Sequence, residues 1–285
     1  MIIIKLQGGL GNQLFQYAVG KTIEKKYKKE VKYDISSFDN KQKVTPRIYL
    51  LGKFKTDIKI ADDEEINKIK GSSKYLIKKA LNKFFFRKYH ISYEQDFLES
   101  IENKNSAYLE GYWQSFHYVE PCIEDLKKEV TLKDDMSFVF KNAVEEVSNV
   151  ESIAMHIRRG DYLKAGGDLG VLDISYYERA NNFVSQKLKN IQYYIFTDDV
   201  MWAKENLNFL GTGNITYVSD LGLKDYEELV LMTKCKNAII ANSSFSLWGA
   251  MLNQNKDATI ICPRDWKNVF LKNDEDLCPK EWVRV

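Results

Sequence analysis

The feature that most limits how this chain can fold is an alternation running from about residue 150 to residue 262. Apolar runs of strand length at 152–157, 192–196, 215–218, 238–241 and 259–262 are separated by stretches with helical spacing. Those stretches fall at 175–188, 200–206, 225–235 and 245–253. A helix between two strands is the crossover that parallel pairing requires. Parallel strands are covered on both faces, which is why they read as continuous apolar runs. The opening has the same order: a strand at 2–6, a glycine loop Gln7-Gly8-Gly9-Leu10-Gly11-Asn12, a helix at 13–29 and a strand at 31–35. The expected fold class is therefore α/β, with an N-terminal domain over 1–150 and a second over 151–285. No linker marks the boundary.

The middle of the chain is less patterned. Residues 62–89 have helical spacing, with Leu76, Ile77, Leu81 and Phe84-Phe85-Phe86 on an apolar face. A short strand at 107–109 runs into Gly111-Tyr112-Trp113-Gln114-Ser115, and helices are predicted at 116–128 and 137–147. Ser175-x-x-Glu178 and Asp225-x-x-Glu228 have the form of capping boxes.

Charge and cysteine content exclude several functions. A net charge of +2 over 285 residues gives no basic footprint for nucleic acid. Four cysteines without a C-x-x-C pair give no zinc pattern and suggest free thiols in a reducing compartment. The apolar start is too short for a signal peptide's core, and no run approaches the ~20 apolar residues of a membrane span. A cytoplasmic location follows, leaving room for peripheral membrane contact; oligomeric state is not readable. The 17 Tyr, 15 Phe and 5 Trp suit sugar binding as well as a rich core.

Four constellations carry chemistry. His156-Ile157-Arg158-Arg159-Gly160-Asp161-Tyr162 follows a buried strand, so two guanidinium forks, an imidazole and a carboxylate gather at its carboxyl end. That edge is where open α/β sheets bind ligands, and paired arginines match phosphate oxygens. Asp161 is either a base or the brace of an arginine. Gly8 to Gln13 lets backbone amides approach a ligand at a helix N-terminus, although the spacing is neither a P-loop nor a dinucleotide fingerprint. Gly9, Asn12 and Gln13, with Trp113 and Gln114 of the middle motif, are candidates for the acceptor side. Phe196-Thr197-Asp198-Asp199 reads either as a helix N-cap or, through Asp198, as a nucleotide contact. Asn242-Ser243-Ser244-Phe245-Ser246 places small hydroxyls where a helix begins, the composition of an anion site. Asp274-Glu275-Asp276 has a D-x-D form but lies in a polar surface stretch, so no metal site is expected.

Together these motifs resemble glycosyltransferase family 11, the α-1,2-fucosyltransferases that use GDP-fucose. GGLGNQLFQYA (8–18), GYWQS (111–115), HIRRGDY (156–162), FTDD (196–199) and LMTKCKNAIIANSSFSLWGA (231–250) stand in the family's order and span nearly the whole chain. The resemblance implies a GT-B-like pair of Rossmann-type domains and an inverting transfer of fucose from GDP to an acceptor hydroxyl, without a metal or other cofactor. Its partners would be GDP-fucose and a galactose-terminated glycan. It also implies that Arg158 and Arg159 hold the diphosphate, that His156 lies against the donor, and that Ser243, Ser244 and Phe245 line the phosphate pocket. Glu228 stands where related enzymes carry an acidic residue, usually Asp, for guanine. Arg159, Asp161 and Asn12 are the expected catalytic residues. Competing readings are a fucosyltransferase of another linkage or acceptor, such as α-1,6 or protein O-fucosylation, and a non-catalytic GDP-sugar or glycan-binding protein.

Overall fold

A computed structural model describes residues 1–39, 47–70, 98, 100–133, 136–164, 170–211, 214–266 and 277–285. They form two units: Met1–Glu129 make up most of the first, and Val130 begins the second. The division thus falls before the helix at 138–149, not after it near 150. Phe140, Ala143 and Val147 of that helix are buried, and it leads directly into the first strand of the second unit.

In the first unit, strand β1 (Ile2–Lys5) precedes helix α1 (Leu10–Tyr27) and strand β2 (Val31–Asp34). Helix α2 (Asp63–Lys70) and strand β3 (Ala107–Leu109) follow. All three strands are parallel, in the order β2-β1-β3. Ile2, Ile3 and Ile4 are fully buried, as a central strand covered on both faces requires. Helix α1 begins three residues before the predicted start. Its N-cap is Gly9, which has no side chain to cap with. Gly20 lets α1 lie close on β2: a Cβ there would stand 2.0 Å from the Tyr33 hydroxyl. The predicted helix at 116–128 is broken into α3 (Phe116–Val119), a 3-10 turn at Glu120–Cys122 and α4 (Ile123–Glu129). Pro121 lacks the N–H that would continue the ladder. The Leu76–Phe86 face lies outside the described residues.

The second unit starts with α5 (Phe138–Asn149) and β4 (Glu151–Ile157), followed by α6 (Gly160–Lys164) and α7 (Ile174–Lys187). Then come β5 (Ile191–Thr197), α8 (Val200–Asn206), β6 (Ile215–Tyr217) and α9 (Asp225–Lys234). Last are β7 (Asn237–Ile239), α10 (Ser244–Met251), β8 (Ile260–Cys262) and β9 (Val283–Arg284), the final strand not anticipated from sequence. The sheet is parallel throughout, in the order β6-β5-β4-β7-β8-β9. The chain works outward from β4 to β6, then crosses to the other side of β4 for β7. The strand order therefore reverses between β4 and β7, and their carboxyl ends open a crevice there.

Two helix starts differ from the predicted boxes. Asp173, not Ser175, caps α7 by accepting from Tyr176 N at 3.3 Å. At α9 the box is one residue early: Glu227 Oε2 accepts from Lys224 N at 2.9 Å. Glu228 is thereby relieved of capping. All four cysteines are buried and unbridged. Among the described residues no helix is long and apolar enough to cross a membrane.

Candidate active site

The crevice of the second unit is built from the loops after β4 and β7. They meet directly: Tyr162 Oη donates to Asn242 O at 2.9 Å, and the His156 and Phe245 rings lie 5.7 Å apart. Asp161 of α6 and, from the loop after β5, Asp198 and Asp199 supply the carboxylates. Arg158 Nη2 is 2.7 Å from Asp161 Oδ2, and Arg158 Nη1 is 3.2 Å from Asp198 Oδ2. Burial works against the Arg158 charge, but these two carboxylates hold its pKa above the ordinary value. Asp198 Oδ1 also accepts from Arg159 N at 2.9 Å. Gly160 permits that approach, since a Cβ there would stand 2.9 Å from Asp198 Oδ2.

The two arginines are not equivalent. Both terminal nitrogens of Arg158 are committed to carboxylates. Arg159 uses only Nε, 3.3 Å from Asp199 Oδ2, and its guanidinium lies 4.1 Å over the Trp202 ring. Among the described residues its two terminal nitrogens carry no hydrogen bond. Arg159 is thus held flat from behind with its fork open, the geometry that suits a phosphate. The tether leaves Arg158 fewer open N–H groups than Arg159.

His156 is buried, and its Nδ1 has no hydrogen-bond partner among the described residues. Burial, with Arg158 nearby, pushes its pKa down to about 3, so the imidazole is neutral at ordinary pH. It offers the crevice a neutral hydrogen-bonding nitrogen instead of a charge. Ser243 caps α10, its Oγ accepting from Phe245 N at 3.4 Å. Ser246 donates to backbone carbonyls, and Asn242 Nδ2 donates to Gly170 O and Trp266 O. Only Ser244 of the four polar residues has no side-chain hydrogen bond among the described residues; it stands half-buried at the first position of α10. Asp198 braces the loop at Arg159 N, and Asp199 caps α8 by accepting from Trp202 N. Glu228 lies in the first turn of α9, which packs against α10. Burial, aided by Asp225, pushes its carboxyl up to about 7.

In the first unit, the loops after β1 and β3 are joined by Gln16. Its Oε1 accepts from Gln7 N at 2.9 Å and its Nε2 donates to Gly111 O at 2.8 Å. Gln114 Nε2 donates to Asn12 Oδ1 at 2.6 Å. Trp113 has φ 46°, the left-handed region rarely occupied by an aromatic residue, and its ring packs over Gly111. Gly9 and Asn12 line a cavity of about 260 Å³. Gln13 does not. It is fully buried, donating to Gly8 O and Ile48 O and accepting from Leu50 N. Its expected ligand contact is replaced by backbone clasping.

Sequence reasoning missed Trp202 and Asp199 as the supports of Arg159, and Tyr162 as the link between the two loops. Two of these lie inside motifs already singled out, but their partners are set by sheet order. Arg47, also on the cavity wall, stood in an unpatterned stretch with no signal. The D-x-D run at 274–276 lies outside the described residues. Among the described residues no three His, Cys, Asp or Glu are grouped to hold a metal ion.

Comparisons with known proteins bear on these clusters. The family model described as glycosyl transferase family 11 matches residues 1–285. An alpha-1,2-colitosyltransferase from Escherichia coli is 28% identical, over 100% of this chain and 99% of its own length. The O-antigen biosynthesis glycosyltransferase WbnK of Escherichia coli is 32% identical, over 98% and 99%. Among solved structures, the fucosyltransferase NodZ from Bradyrhizobium superposes with a TM-score of 0.55 at 13% identity, covering 88% of this chain and 92% of that one. NodZ, an alpha-1,6-fucosyltransferase, has also been co-crystallized with GDP. The likeness shows that the fold is GT-B-like.

Proposed function

The chain belongs to glycosyl transferase family 11, and on that premise we propose that it transfers L-fucose from GDP-β-L-fucose to the 2-hydroxyl of a terminal β-galactoside. The transfer inverts the anomeric centre and serves surface-glycan biosynthesis, as the name of the O-antigen relative suggests. In the reaction the acceptor oxygen bonds to C1 of the sugar. The bond from C1 to the β-phosphate oxygen breaks, GDP leaves with the electron pair, and the hydroxyl proton passes to solvent water.

The observation that carries this reading is the open fork of Arg159, braced by Asp199 and Trp202. Charge that builds on the departing phosphate needs a fixed cation, and an arginine supplies one without a metal and without losing its proton. Ser244 and the first amides of α10 add donors on the same side of the sheet. Neutral His156 contacts the donor by hydrogen bonding. Glu228 accepts from guanine N–H groups. Asp161, tied to Arg158, keeps the loop in shape, and Asn12 positions the acceptor.

Purified protein mixed with GDP-fucose and a β-galactoside, in chelator, should release GDP and form an α-1,2 linkage identifiable by NMR. Loss of activity in chelator that manganese restores would refute the metal-free mechanism. A second reading keeps the reaction and changes the sugar. It is favoured by the colitosyltransferase that matches along the whole chain. Colitose lacks the 3-hydroxyl of fucose, and a site that hydrogen-bonds that hydroxyl rejects the analogue by orders of magnitude. Comparing kcat/KM for GDP-fucose and GDP-colitose decides between them.

A further inference from the structure

The cavity in the first unit lies at the carboxyl ends of its parallel strands, the edge where open α/β sheets take ligands. Gln7 on its wall follows β1, and Ser37 and Phe38 follow β2. Its polar lining both gives and receives. Asn12 Oδ1 is taken by Gln114, so Nδ2 is left as a donor. The Ser37 hydroxyl gives its proton to Leu6 O, so its oxygen is left as an acceptor. Gln7 is held by its backbone, with N–H donating to Gln16 Oε1 at 2.9 Å. Its side-chain amide carries no hydrogen bond among the described residues, and it brings a carbonyl acceptor and two N–H donors. Phe38 adds a half-buried ring, tilted 46° to Tyr49 with centroids 6.1 Å apart. Gly8, at φ +82°, keeps the floor bare: a Cβ there would stand 2.7 Å from Asn12 Nδ2.

A sugar ring presents hydroxyls that give protons as well as receive them, and a C–H face that packs on an aromatic ring. Mixed donors and acceptors beside Phe38 are the complement of such a ring. A purely apolar occupant would leave the Asn12 N–H and the Gln7 amide unsatisfied, at a cost that a hydroxyl avoids. The volume of about 260 Å³ is below the usual ~300 Å³ lower bound for drug-sized ligands, which limits the occupant to a single ring.

We propose that this cavity receives one neutral pyranose ring and that the Gln7 amide is the group that reads its hydroxyls. The inference rests on the reading that the chain moves a sugar from a nucleotide to a glycan. It deepens that reading by assigning sugar recognition to a named side chain. The ring belongs either to the acceptor, as its terminal galactose, or to the donor; the chemistry is the same, and the test separates the two.

The test removes hydroxyls from the substrates and the amide from the protein, separately and together. The acceptor series is methyl β-galactoside and its analogues lacking the 3-, 4- or 6-hydroxyl. The donor series is GDP-fucose and its analogues lacking the 2-, 3- or 4-hydroxyl. A site that hydrogen-bonds a hydroxyl rejects the analogue without it. At least one deletion should therefore lower kcat/KM about tenfold or more in the parent, and only about threefold or less in Gln7→Leu, which keeps the bulk but not the amide. A penalty that disappears in the acceptor series places galactose in the cavity; one that disappears in the donor series places the transferred sugar there. Circular dichroism verifies that the variant is folded. If Gln7→Leu does not fold, Gln7→Asn, whose amide is drawn back by one carbon, should shrink the same penalty. Penalties that are equal in parent and variant for every deletion overturn the proposal. The fucosyl reading fails separately, through absence of turnover with GDP-fucose; the same deletions are then made in whichever GDP-sugar is turned over.

Discussion

Glu228 ties donor affinity to pH in a way that can be worked out in advance. In the empty protein burial raises its carboxyl to about 7, from an ordinary value of 4.5. To accept from the N–H groups of guanine it must be ionised. At pH 8 it is mostly ionised already. At pH 6 about one molecule in ten is ionised, so the dissociation constant rises about tenfold, or ~1.4 kcal/mol; at pH 5 the loss approaches a hundredfold. Stability runs the other way. Because the folded-state pKa is raised, the folded protein binds more protons than the unfolded chain between about 4.5 and 7. The cost of this carboxyl to the fold is absent below that window and complete above it. Glu228→Gln should therefore stabilise the empty protein at pH 8 while weakening the donor, and it should flatten the pH profile of binding. Calorimetry with GDP-fucose from pH 5 to 8 is the assay, since the sugar ester removes the titration of a terminal phosphate. Affinity that is level across this range in the parent, or that strengthens toward pH 5, would refute the role.

Other perturbations probe different links. Arg159→Ala should cost on the order of 3 kcal/mol of transition-state stabilisation in kcat/KM, the size of one lost oxyanion donor, and Arg159→Lys should recover only part because a point charge lacks the fork. Asp161→Asn loosens Arg158, so GDP affinity and turnover should fall together; intact affinity with collapsed turnover would identify a base instead. His156 titrates near 3, so kcat/KM profiles from pH 5 to 8 should carry no ionisation that disappears in His156→Gln. Gly20→Ala drives a methyl into the Tyr33 hydroxyl and should cost about 1–3 kcal/mol in urea unfolding.

The parallel α/β architecture was legible because fully buried strands leave apolar runs, as at Ile153–Ile157, that no surface segment would tolerate. The loops that meet at the crevice were legible too, as strand ends that run into His156-Ile157-Arg158-Arg159 and Asn242-Ser243-Ser244. The division of labour inside them was not. Arg158 and Arg159 are neighbours of the same type, yet one is neutralised by Asp161 and Asp198 while the other keeps its fork open. That difference depends on which loop the sheet order sets beside them. Gln13 was misread for the same reason: a glutamine beside a glycine loop looks like a ligand contact until the backbone at Ile48 and Leu50 is brought against it.

The clasp made by Gln13 has a kinetic corollary. One amide on α1 fixes the backbone just after Arg47 at two points. Replacing that amide by alanine leaves every cavity-facing group in the sequence, yet it lets go of the segment that bears the guanidinium. Such an enzyme should have an altered cavity although position 13 is not part of its lining.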